Sequence, residues 1–200
     1  IRPDMATMLA FITTDLDATQ ADLQTLLIGA VDPTFNSITV DGDMSTNDTV
    51  IALANGASGL KRRELPHEFH QAYQAALEWV CERLARAIVG DGEKISKVVT
   101  LRITGAASAA DARQVAYAVA HSPLVKSSWA GSDPNWGRVI AAVGYSGAPI
   151  EEDRLSMHYD DCEVIVSGDL KEANLRSWYQ IVGKREFGIC VDLGMGEGEA

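Results

Sequence analysis

Two hundred residues, 46% of them hydrophobic, suffice for one large or two small domains with a buried core and no need of disulfide staples. A formal charge of −11 and a pI near 4.7 make a surface that repels phosphate backbones, which argues against nucleic acid as a partner. The chain has no run of about 18 apolar residues and no basic-then-apolar N-terminus, so the sequence points to a cytoplasmic protein with neither membrane span nor secretory leader.

In chain order, the continuous apolar run Met8 to Ile12 predicts a strand buried on both faces. Leu23, Leu26, Leu27, Ala30 and Val31 at helical spacing predict a helix over 19–31, stopped by Pro33. "FNSITV" then reads as a strand, "DGDMSTNDT" as a polar loop, and "VIALANG" as a second strand ending at Asn55 and Gly56. The longest helix is predicted over 66–89, with Phe69, Tyr73, Leu77, Val80, Leu84 and Ile88 on its apolar face and Gly90 as its end. Its other face carries Glu68, Glu78, Glu82 and Arg86 and is expected to be solvated. After the break "GDGEK" the pattern alternates. A strand at 98–104 is followed by a helix at 109–121 with Ser108 and Asp111 at capping-box spacing, and then by a strand at 124–128. Asp133 as N-cap with Pro134 at the first helical position predicts a helix over 136–143. Strands near 155–160 and 162–167, a helix near 171–182 and a strand at 187–193 complete the pattern. The opening at Ile1 and the end just after a strand-like run fit a piece of a longer protein.

The chemistry-bearing residues are few. Cys81, Cys162 and Cys190 are odd in number and set among apolar neighbours, which suits reduced thiols rather than a disulfide frame or a metal site. His67 and His70 lie three apart on a helix without an evident third ligand, so no metal is inferred. "GDGEK" and "GMGEGEA" are glycine-rich but lack the spacing of a nucleotide fingerprint, and their carboxylates would repel phosphate. Glu93 reads either as an exposed loop carboxylate or as an acceptor for a substrate ammonium. Asp133, Asn135, Trp136 and Arg138 read as a capped helix carrying a core tryptophan.

Thr7, just ahead of the first strand, has two readings as well. A β-branched residue suits a strand. A threonine at a chain N-terminus can also be a nucleophile, because its own α-amine, with a reference pKa of about 7.7–8.0, can take the hydroxyl proton. Thr7 is internal, so that chemistry first requires cleavage of the Ala6–Thr7 bond, which the hydroxyl itself could attack.

Several stretches together, in this order, resemble one family. They are "RPDMATMLAFITTD", "VDGDMSTNDT", "LANG", "VGDGE", "GAAS", "SPLVKSSWAGSDPNWGRVIAAVGYSG" and "VDLGMGEG". The chain is similar, over essentially its whole length, to the bifunctional glutamate N-acetyltransferase (ornithine acetyltransferase) family of arginine biosynthesis. The resemblance implies a precursor that cuts itself between Ala6 and Thr7, leaving residues 1–6 at the end of an α-subunit and Thr7 as the catalytic, substrate-binding residue of a β-subunit. It implies ping-pong transfer of acetyl from N-acetylornithine to glutamate through a threonine ester. No cofactor is implied, acetyl-CoA entering only as an alternative acetyl-donor substrate. Glu93 would contact the amino-acid substrate, although the motif continues Lys94-Ile95-Ser96 where the family pattern has Gly-Ala-Thr. The oxyanion hole and a binding lysine would lie upstream and further binding residues beyond Ala200, so this chain alone is expected to be inactive.

The implied fold class is α+β (mixed α/β), a layered sandwich of β-sheets flanked by helices, with a smaller α/β lobe. Residues 1–92 would form the nucleophile-bearing part of the sandwich, 97–187 the smaller lobe, and 188–200 the start of a C-terminal segment. The implied assembly joins the β-subunit to the α-subunit of the same precursor, in a heterotetramer of two α and two β chains. Two other readings of the residues stay open: an aminopeptidase of related fold that sends the acyl group to water, and a non-catalytic homologue.

Overall fold

The computed structural model describes residues 8–92 and 94–200, and the chain divides into units Ile1–Lys94 and Ile95–Ala200, each with its own core. In the first unit, β1 (Leu9–Thr14) pairs in parallel with β2 (Thr49–Ala54), with Leu9 opposite Thr49 and Thr14 opposite Ala54. Between them runs α1 (Gln20–Val31), whose N-terminus is closed by a capping box in which Thr19 accepts the Asp22 N–H and Asp22 accepts the Thr19 N–H. This Asp22 also pairs with Arg62 at 2.7 Å. α2 (His67–Gly90) packs on α1, and the core gathers Met8, Ala10, Ala30, Phe35, Cys81 and Ala85.

Three expectations for this unit are corrected. β1 is covered on one face only among the described residues: Ala10 is buried, whereas Leu9 and Phe11 are 58% and 60% exposed, because the helices pack on a single side of a two-stranded sheet. "FNSITV" is not a strand; Phe35–Ser37 form a 3-10 turn anchored by the fully buried Phe35. The buried face of α2 runs through Leu77, Cys81, Ala85 and Ile88, while Val80 and Leu84 are exposed beside Trp79. Small Cys81 and Ala85 allow the close approach that the larger residues would prevent.

The second unit is a five-stranded mixed sheet in the order β3-β7-β4-β5-β6. β3 (Val98–Thr104) and β7 (Glu186–Asp192) are parallel, whereas β4 (Ser156–Tyr159), β5 (Cys162–Val166) and β6 (Asp169–Leu170) continue antiparallel. α3 (Ala109–Ala120) packs on β3, and α6 (Leu175–Val182) on β4 and β5. α4 (Pro123–Ala130) and α5 (Trp136–Gly144) pack against each other. The core is extensive, with Ile103, Val115, Val119, Val139, Val143, Met157 and Val191 fully buried. Each such side chain contributes about 1.5–3 kcal/mol by leaving water.

Residues 124–128 are therefore helical and not a strand. Ser122 accepts the Val125 N–H as N-cap and Pro123 opens the helix, so the short apolar run belongs to a turn-and-a-half of α4. The boundary expected at 187/188 falls inside β7, and residues 188–200 belong to this unit. Among the described residues no helix is long and apolar enough to cross a membrane.

Candidate active site

Ala6 and Thr7, the expected cleavage pair, and Glu93, the expected ammonium acceptor, lie outside the described residues. The geometry of their chain neighbours is defined. Met8, the residue after Thr7, is buried at 4% exposure, and both of its backbone polar groups are held. Its N–H donates to Asp48 Oδ1 at 2.9 Å, and its carbonyl accepts the Thr49 N–H at 2.8 Å. The other Asp48 oxygen accepts the Ser45 N–H at 3.1 Å. Ser45 Oγ accepts the Asn47 N–H at 3.1 Å, and Thr49 Oγ1 donates to the Asn47 carbonyl at 3.0 Å. The segment that reads in sequence as a plain polar loop is thus a closed turn that aims one carboxylate at the start of β1. Asp48 also lines an open cleft of about 360 Å³, together with Gln24, Ile28, Asp32, Met44 and Val50.

Around Glu93, Asp91 ends α2 by donating its N–H to the Ala87 carbonyl at 3.0 Å. Lys94 has φ 55°, a left-handed conformation that favours glycine, which is a backbone reason for the glycine the resemblance leads one to expect at this position.

Several of the remaining candidates make contacts within the fold. His70 Nε2 lies 2.9 Å from the Arg62 carbonyl, and among the described residues no group of three His, Cys, Asp or Glu side chains is placed to hold a metal ion. The segment after β7 folds back onto residues 103–106: Met195 and Gly196 donate to the Gly105 carbonyl, Gly198 bonds Ala106, and Ala200 bonds Ile103. The N–H groups of Met195, Gly196, Gly198 and Ala200 are thereby engaged in the fold. In α5 the N-cap is Asn135, which accepts the Arg138 N–H, while Asp133 accepts from the Asn135 amide; the cap expected at Asp133 sits two residues later because Pro134 and Asn135 are still outside the helix. Arg138 braces α4 by donating to the Leu124 carbonyl and Ser127 Oγ. Burial, helped by the charge of Asp133, pushes the Tyr159 hydroxyl well above the usual phenol range, so it stays neutral. Burial likewise raises the Cys81 thiol, and all three cysteines are free.

The ArgJ family model matches residues 1–200, the whole chain. The chain belongs to the ArgJ family. Arginine biosynthesis bifunctional protein ArgJ of Geobacter sulfurreducens is 46% identical over 100% of this chain and 51% of its own length. Glutamate N-acetyltransferase of Methanocaldococcus jannaschii is 44% identical over the same shares. The chain thus spans about half the length of the curated ArgJ relatives it matches. The crystal structure of arginine biosynthesis bifunctional protein argJ from Bacillus halodurans matches with a TM-score of 0.89 and 34% identity, covering 96% of this chain and 91% of that one. The α+β fold read from the sequence is therefore the fold of a solved ArgJ protein.

Proposed function

We propose that the full-length gene product is an acetyltransferase of arginine biosynthesis that moves the acetyl group of N2-acetylornithine to glutamate, with Thr7 as nucleophile. The observation that carries this reading is membership of the ArgJ family over all 200 residues, joined to the similarity to a relative named glutamate N-acetyltransferase. In the maturation step Thr7 Oγ attacks the Ala6 carbonyl and the Ala6–Thr7 amide becomes an ester, which frees the Thr7 α-amine as it takes up the Oγ proton; water then hydrolyses the ester, leaving the Ala6 carboxylate and the free Thr7 hydroxyl. In turnover the amine takes the Oγ proton as Oγ attacks the acetyl carbonyl. The proton passes to the departing ornithine nitrogen, and the acetyl group stays on Oγ. The glutamate amine then attacks the ester, releases N-acetylglutamate and returns a proton to Oγ. The ester divides one difficult amide exchange into two easier steps.

Glu93 suits the substrate ammonium by charge. The reaction needs no cofactor; acetyl-CoA would be an alternative donor substrate. A cytoplasmic location and an assembly of two α and two β chains complete the proposal.

The test is the intact mass of the full-length product as wild type and as Thr7→Ala, followed by an assay for acetyl transfer from N-acetylornithine to glutamate. Wild type is expected as two pieces split between Ala6 and Thr7, the variant as one uncut and inactive chain. Wild type that arrives folded, uncut and inactive would overturn the reading. Release of free acetate without N-acetylglutamate would instead identify a hydrolase.

A further inference from the structure

We infer that Asp48 is the positioning residue that sets the peptide group between Thr7 and Met8, and so the approach of the Thr7 nucleophile in both self-cleavage and acetyl transfer. This rests on the reading of Thr7 given above. A peptide group is planar, so the Met8 N–H shares one plane with the Thr7 carbonyl and the Thr7 Cα. Met8 Cα is itself fixed, since the side chain is buried and the carbonyl is engaged by Thr49. With the N–H also held by Asp48 at 2.9 Å, turning the plane about the Met8 N–Cα bond breaks a charge-assisted hydrogen bond.

The choice of a carboxylate has a physical reason. Two backbone N–H donors converge on this side chain, from Met8 at 2.9 Å and Ser45 at 3.1 Å, one on each oxygen. A carboxylate accepts at both oxygens, whereas an amide offers one acceptor and turns its NH2 toward the other donor. Bonds to an ionised acceptor are also roughly twice as strong as neutral ones. Asp48 therefore ties a turn 40 residues away in sequence to the first buried residue after the nucleophile.

The test uses the full-length precursor and two rates. One is the first-order appearance of the cleaved halves, followed by intact mass. The other is acetyl-enzyme formation at saturating N-acetylornithine, measured by rapid quench on protein that has finished cleaving. Misplacing a reacting atom by about 1 Å costs roughly 100-fold, so Asp48→Ala is expected to slow both steps by about 10-fold to 100-fold, with the KM for donor unchanged. Asp48→Asn, which keeps one acceptor, is expected to restore part of both rates. Asp41→Ala serves as control, because the Asp41 carboxylate accepts the Asp43 N–H in the same loop; it is expected to leave both rates alone.

Folded Asp48→Ala with wild-type rates overturns the assignment. So does equal slowing by Asp41→Ala, which would make the effect one of loop folding. Should Asp48→Ala fail to fold, wild-type rates in Asp48→Asn overturn it and partial slowing supports it. Wild type that neither cleaves nor acylates overturns the Thr7 reading itself, and is recognised without any variant.

Discussion

At Lys94 the backbone takes φ 55°, where the Cβ of an ordinary residue crowds the following carbonyl at a cost of about 1–2 kcal/mol. Glycine escapes that cost but gains freedom in the unfolded chain, which offsets part of the benefit. Lys94→Gly is therefore expected to stabilise the protein by about 0.5–1 kcal/mol, read as a higher urea midpoint at unchanged slope. Gly105 is the opposite case. It too is left-handed, at φ 66°, but an added Cβ would overlap the Asp192 carboxylate and come within 2.7 Å of the Gly194 nitrogen. The Gly105 carbonyl also receives the Met195 and Gly196 N–H groups, so the strand end cannot shift to make room. Gly105→Ala is expected to destabilise by about 3 kcal/mol in the same urea measurement.

Among the elements, the turn from β4 to β5 is fastened to β7 through one side chain. Asp160 accepts the Gly188 N–H at 2.7 Å and the Lys184 ammonium at 2.8 Å. Burial alone would raise the Asp160 carboxyl, but the hydrogen bonds from Lys184 and Gly188 and the Lys184 charge hold it below the usual carboxylate range. A carboxyl depressed in the folded state stabilises fully above its unfolded pKa of about 3.9 and ceases to do so as pH falls through the folded value. The stability advantage of wild type over Asp160→Asn is thus expected in full at pH 7 and to shrink below about pH 4, measured by urea unfolding across that range. How legible the elements are in sequence follows from how local their signals are. α1, α2, α3 and α5 announce themselves by period, and α3 also by its cap Ser108, whose partner Asp111 lies three residues away. α4 hides because Leu124 to Ser128 is too short for a period to separate helix from strand. Thr7 and Glu93 enter through the family resemblance, with Thr7 also carrying the chemistry of a hydroxyl before a strand. Asp48 was out of reach, since its contact with Met8 exists only once β1 and β2 pair in parallel and in this register.

For the molecule as a whole, the open side of β1 and β2 is the feature that the described residues leave unexplained. Leu9 and Phe11 on β1 are 58% and 60% exposed, Ile51 and Leu53 on β2 are 36% and 54% exposed, and the register sets Phe11 opposite Ile51. A two-stranded sheet covered on one side is a marginal structure, yet the sequence of β1 is apolar on both faces. A solvated strand face is ordinarily polar, so this composition fits a face that is covered in the full-length product, of whose relatives the chain spans about half the length. Phe11→Asp separates the alternatives. In the 200-residue chain on its own the substitution changes an exposed position and is expected to alter stability by no more than about 0.5 kcal/mol. In the full-length product, with the face covered, the same change buries an unpaired carboxylate and removes a packed ring, a loss of about 3–5 kcal/mol. Thermal or urea unfolding of both proteins, with and without the substitution, gives the comparison. A large loss confined to the full-length protein means that β1 is an inner strand of a two-layered sandwich; equally small effects in both would mean that the face stands open to water.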